Sequence, residues 1–136
     1  MDNEENAVYD TQVFKYGVYH KENIKWLQNL TFYREELSYF GTLIDDVKAK
    51  NTILEVLNQV FIFENRLENL RKESDELLQS INQEQWGFED DALGKEFLLG
   101  EEIYAQHYSL RERYQVFENE FIRTKHDFYK CLSKIL

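Results

Sequence analysis

The chain reads as an all-α protein, an antiparallel up-down-up three-helix bundle, and three observations lead there. There is no proline and there are only five glycines in 136 residues, so the strongest helix breakers are almost absent. Apolar residues recur in alternating steps of four and three along three long stretches, the two-position heptad seam of helices packed lengthwise. The phase of that seam breaks between Val47 and Ile53, which calls for a tight turn and makes the first two helices antiparallel.

Residues 1–19 are expected to form a separate, partly disordered arm. The first seven are acidic and frayed at a chain end. Val8, Tyr9, Val13, Phe14, Tyr16, Val18 and Tyr19 follow, interrupted by Gly17, with neither a clean helical nor a clean alternating period. Such an arm either lies on the bundle or docks on a partner. The bundle itself is expected to be a single domain over residues 20–136, long enough for a core without disulfides or metals.

The first helix is predicted from about His20 to Lys48, with Trp26, Leu30, Tyr33, Leu37, Phe40, Ile44 and Val47 on one face. Gly41 stands beside that seam and suggests close approach of a neighbouring helix. The second is predicted from Thr52 to about Gln83, through Ile53, Val56, Val60, Phe63, Leu67, Leu70, Ser74, Leu77 and Ile81. Thr52 with Glu55 makes a capping-box signature at its start.

Residues 84–100 are the least regular. Trp86-Gly87-Phe88 reads as a helix stop, with Gly87 free to turn left-handed, and Asp90 or Asp91 as the cap of a new start. Either a short extra helix breaks near Gly100, or one helix runs from Asp91 to Ile135; the break is favoured. The third long helix carries the seam Ile103, His107, Leu110, Tyr114, Phe117, Phe121, Thr124, Phe128, Cys131 and Ile135.

The architecture is similar to that of spectrin-like repeats, which often carry a tryptophan on the first helix, where Trp26 stands. That likeness is one of architecture and implies no function. No family is recognised from specific residues.

A formal net charge of −10 argues against unspecific DNA or RNA binding and against anionic membrane surfaces, both of which need lysine and arginine. No run approaches the ~18 apolar residues of a membrane span. The opening residues lack the basic start and apolar run of a signal peptide, so a cytoplasmic protein is expected. One cysteine excludes an internal disulfide framework, and Cys131 on the seam reads as a buried, inert thiol.

No catalytic, cofactor or metal site is expected. The residues three before His20, His107 and His126 are Gly17, Tyr104 and Arg123, so the Glu-x-x-His pair of carboxylate-bridged metal bundles is missing. Nucleotide-binding, nucleophile-elbow, zinc-protease and calcium-loop motifs are missing too.

Ser74 and His107 are the polar exceptions on their seams. With short turns, facing residues of the first two helices should have numbers totalling about 100, and those of the second and third about 181. Trp26, Ser74 and His107 then share one layer. It reads as a structural polar layer that fixes register, or else as a contact for a small ligand.

The seams leave apolar residues over. Tyr108, Ile122, Tyr129 and Leu136 form a second stripe on the third helix, with Tyr104 and Leu132 beside it. Leu54, Leu57 and Phe61 lie off the second seam, and Phe32, Tyr39 and Leu43 off the first. Leu43, Leu54, Leu57, Phe61, Ile122, Tyr129, Leu132 and Leu136 gather toward the end with the tight turn. Exposed apolar patches of that kind mark interfaces. The expected function is therefore a non-enzymatic protein–protein interaction module (adaptor, chaperone or regulatory subunit) that pairs with itself as a homodimer. The alternative is a ligand-binding bundle or an unrecognised enzyme using the Trp26, Ser74, His107 layer.

Overall fold

The computed structural model describes residues 3–94 and 101–135. It contains three helices, α1 (Asn3–Lys50), α2 (Leu54–Gly94) and α3 (Glu101–Ile135), and no strand among the described residues. None of these helices is long and apolar enough to cross a membrane.

Helix ends follow local chemistry. Lys48 and Lys50 in the last turn of α1 face the negative end of its dipole, and the Asn51 side-chain amide donates to the Val47 carbonyl at 2.8 Å. The chain then turns over residues 51–53. The Ile53 carbonyl accepts the Leu57 N–H at 3.1 Å, which makes Ile53 rather than Thr52 the residue before the first helical turn. Glu55 sits in that first turn, on the favourable end of the dipole.

Two boundaries differ from the sequence expectation. The residues assigned to a separate arm belong to α1, which is helical from Asn3. Tyr16, Tyr19 and Asn23 run into Trp26 and Leu30 in the same alternating steps of three and four, so the seam continues through them. Likewise α2 does not stop at Gln83. Leu77, Ile81, Glu84 and Phe88 keep one phase, all four are buried, and Gly87 lies on the exposed side of a continuous helix. No new helix begins at Asp90 or Asp91, which are inside α2. Phe97, Leu98 and Leu99, expected in a short extra helix, lie outside the described residues, as does Leu136.

The chain forms two compact units, each taking a stretch from all three helices: Met1–Asn29 with Leu77–Tyr114, and Leu30–Glu76 with Gln115–Leu136. In the first, His20 meets Gln85 and Asn23 meets Glu84, so α2 runs against α1, while Glu22 meets His107 and Asn29 meets Tyr114, so α3 runs along α1. The second repeats that order. Arg34 pairs with Asp75 and Lys48 with Glu64 between α1 and α2, and Tyr33 with Glu118 and Glu36 with Lys125 between α1 and α3.

The interior of the second unit is aromatic and aliphatic. Phe40, Phe117, Phe121 and Phe128 are all but fully buried, with Ile44, Val47, Val60, Leu67 and Leu70 around them. Ring centroids of Phe40 and Phe128 lie 5.4 Å apart, those of Phe63 and Phe128 5.4 Å, and those of Tyr33 and Phe121 4.4 Å. Each such ring removed from water stabilises the unit by about 1.5–3 kcal/mol before entropy is counted.

Candidate functional site

The interior of the first unit holds a charged network centred on His107. The α3 seam turns this residue inward, and it is 0% exposed. Its Nδ1 meets the Glu84 carboxylate from α2, and its Nε2 lies 3.2 Å from Glu22 Oε1 on α1. Both faces of the ring are covered as well. Tyr19 stacks at 3.8 Å between centroids with planes 14° apart, and Trp26 at 5.2 Å and 20°. Trp26 in turn stacks on Tyr114 at 5.3 Å.

The surrounding polar groups complete the set. Arg111, one turn beyond His107, forks onto Glu22, with Nε donating to Oε2 at 2.9 Å and a terminal nitrogen to Oε1 at 2.5 Å. The Asn23 amide nitrogen donates to Glu84 at 3.5 Å and to Gln85 at 3.3 Å, and the Gln106 amide donates to Glu84 Oε2 at 3.5 Å. Gln85 Nε2 reaches His20 Nδ1 at 2.5 Å. The Asn23 carbonyl oxygen is buried without a partner.

A carboxylate can only accept, so two carboxylates at two ring nitrogens call for two N–H donors, and the imidazolium is the form of His107 that supplies both. Glu84 and His107 form the buried part of this network, and Glu22 and Arg111 its part-exposed edge. Burial pushes the Glu22 carboxyl up, but hydrogen bonds from Arg111 and His107 outweigh it, and Glu22 sits below the ordinary carboxylate range. The hydrogen bond to Glu22 raises Arg111 against the opposing effect of burial. Burial raises the Tyr19 phenol, with Arg111 pulling the other way.

Of the residues singled out from sequence, the structure brings Trp26 and His107 together by stacking. The α2 side chain at His107 is Glu84, where the sequence expectation had Ser74. That is a register shift of ten residues, caused by the extra turns of α2 before the chain reverses. Arg66 with Asp127 and Gln59 with Cys131 are displaced in the same direction by a similar amount in the second unit. Ser74 is fully buried, and its hydroxyl donates to the Arg71 carbonyl of its own helix at 2.8 Å. Glu22, Asn23, Glu84 and Arg111 went unnoticed, although Asn23 and Glu84 sit in phase on the seams.

No group of three or more His, Cys, Asp or Glu side chains is placed to hold a metal ion among the described residues. Cys131 is half-buried rather than buried. Its thiol lies 3.5 Å from Gln59 Oε1, and burial raises its pKa while Lys134 lowers it, so at neutral pH it is a thiol and a poor nucleophile.

The second unit carries the apolar residues expected at an interface. Leu54 is 72% exposed and Phe61 62%, Ile122 and Tyr129 are exposed, Leu43 and Leu57 are half-buried, and Leu132 is buried in the unit's own core. Phe32 and Tyr39 on α1 are both 56% exposed, and α1 and α3 are aligned so that these two stand level with Ile122 and Tyr129. Tyr33 to Glu118, Glu36 to Lys125 and Phe40 to Tyr129 fix that alignment. A groove of about 950 Å³ lies between α1 and α2, with Leu37, Ile44 and Leu67 in its floor and Arg34, Glu64 and Arg71 on its rims.

Comparison of the chain with protein-family models, with curated proteins and with solved structures returned no match.

Proposed function

We propose that this protein is a non-enzymatic, cytoplasmic interaction module that binds protein, including a second copy of itself, through apolar surface on its second unit. The observation that carries this reading is the exposure of Phe32 and Tyr39 on α1 and of Ile122 and Tyr129 on α3. A helix that is apolar on two faces needs cover on both. The α1 and α3 seams already fill the inner faces with Phe40, Phe117, Phe121 and Phe128, so Phe32, Tyr39 and Ile122 stay more than half exposed and Tyr129 meets the core at the edge of Phe40.

The reading as a ligand-binding protein or enzyme at Trp26, Ser74 and His107 draws no support from the geometry. Both nitrogens and both faces of His107 are occupied by side chains of the protein, and the Ser74 hydroxyl is spent on its own helix. A group so fully engaged has no atom left for a substrate.

The test is recovery of bound protein from the native host with the wild-type chain and with an Ile122→Asp, Phe32→Asp variant. Both substitutions lie on exposed positions, so helicity and melting should be unchanged. Proteins recovered with the wild type and lost with the variant support the reading. An identical set with both chains would sink it.

A further inference from the structure

We propose that the α1–α3 face of the second unit is self-complementary, and that two copies pair through it about a two-fold axis parallel to the helices. This rests on the interaction reading and names its occupant.

The face is a ladder with two apolar rungs and a charged one between them. Phe32 follows the level of Tyr33, which bonds to Glu118 and packs on Phe121 at 4.4 Å, so Phe32 and Ile122 make one rung. Tyr39 precedes Phe40, whose ring meets Tyr129 edge-on at 5.5 Å, so Tyr39 and Tyr129 make the other. Between them Glu36 Oε2 pairs with Lys125 Nζ at 2.8 Å, with side-chain exposures of 18% and 37%.

Two symmetric ways of closing such faces exist, and charge chooses between them. With the axis across the helices, α1 meets α1 and α3 meets α3, so Glu36 opposes Glu36 and Lys125 opposes Lys125. With the axis along the helices, α1 of one copy meets α3 of the other, pointing the same way and at the same level. Phe32 then faces Ile122, Tyr39 faces Tyr129, and Glu36 faces Lys125. Every rung meets its complement, and the acid and base that pair within one copy gain a second partner across the interface.

Area sets the strength. An aromatic side chain buries about 150–250 Å² when fully covered. Three aromatics and an isoleucine roughly half exposed therefore leave about 400 Å² per copy. That is within the range of a typical monomer's largest patch and about half the ~800 Å² per partner of a standard interface. The dimer belongs to the weak, reversible class, with dissociation on the order of tens of micromolar.

The experiment is sedimentation velocity of the wild type, Glu36→Lys, Lys125→Glu and Ile122→Asp from roughly 5 to 500 µM, with circular dichroism as a check on folding. The wild type should pass from monomer to dimer across that range. Glu36→Lys alone puts lysine opposite lysine, Lys125→Glu alone puts glutamate opposite glutamate, and each should weaken the dimer at least about tenfold. Mixed together they should form a heterodimer of wild-type strength. The pair within each chain remains broken in the mixture, so recovery on mixing reports only contacts between copies.

Ile122→Asp tests the apolar rungs separately and should abolish the dimer with the helical signal unchanged. Three results would overturn the proposal: a wild type monomeric throughout, a dimer that survives Ile122→Asp, or single variants that stay apart on mixing while the wild type dimerises. A monomeric wild type leaves the broader interaction reading to the recovery test, so the two fail separately.

Discussion

The two units use the same three helices and fill their interiors differently. The first encloses His107, Asn23, Glu84 and Gln85 beside its aromatics, whereas the second encloses phenylalanine and aliphatic side chains with, among the described residues, only Ser74 and Thr124 as polar members. An apolar seam with a regular repeat packs almost as well after a slip of one heptad, because each layer resembles the next. A hydrogen-bonded imidazole between two particular carboxylates does not. On that argument the polar unit is expected to set register, and the apolar unit to supply buried area.

The strongest way to break that contrast is His107→Ala. It leaves Glu84, whose side chain is 2% exposed, without its main partner, and should destabilise the protein by about 3–5 kcal/mol in urea unfolding. His107→Phe combined with Glu84→Leu removes the charge with its partner and should recover most of that loss. If the double variant is as unstable as the single one, the network contributes more than paired charge.

In the second unit Leu70→Ala should cost about 2–5 kcal/mol through lost burial and a cavity, with no dependence on pH. A smaller effect concerns acid. The Glu22 carboxyl is lower in the folded chain than in the unfolded one, so its contribution is present above the ordinary carboxylate pKa and fades as pH falls through the folded value. Arg111→Gln removes the larger of the two hydrogen-bonding causes, so acid unfolding should begin at higher pH than in the wild type. An unchanged acid transition would show that Arg111 does not hold Glu22.

Smallest of all, Cys131→Ser should change stability by less than about 1 kcal/mol, since the site is half-buried. In the wild type the thiol should react with an aromatic disulfide more slowly than a free cysteine at pH 8.

Much of the fold was legible because apolar periodicity reports the core directly. Leu30, Leu37, Phe40 and Ile44 on α1, Leu70, Leu77 and Ile81 on α2, and Leu110, Phe117 and Phe121 on α3 are all buried as their spacing implies. The turn after Lys50 was legible from the change of phase. What misled was polarity on the seam. Gly17 read as an interruption of the arm and Trp86-Gly87-Phe88 as a helix stop, and with Asn23 and Glu84 not counted on the seams the unbroken phase through both was missed.

Both are seam positions whose polar groups are met by other helices, and no single helix's sequence reveals its partners. The mistaken end of α2 then moved the expected neighbour of His107 from Glu84 to Ser74. The α1–α3 ladder was half visible. Ile122 and Tyr129 stood out by their seven-residue spacing, but their alignment with Phe32 and Tyr39 depends on how α1 and α3 are staggered. Spacing within one helix carries no information about that.

The stacking of Trp26 on His107 has an optical consequence. The protein's two tryptophans, Trp26 and Trp86, both belong to the first unit; one is buried against an imidazole and the other is 60% exposed. Indole emission therefore watches one half of the molecule and is blind to the other, whereas far-ultraviolet dichroism watches all three helices. If the two signals melt together, the polar and apolar interiors share one transition. If they part, the emission curve belongs to the unit that holds His107, and the chain carries its own reporter for telling its two halves apart.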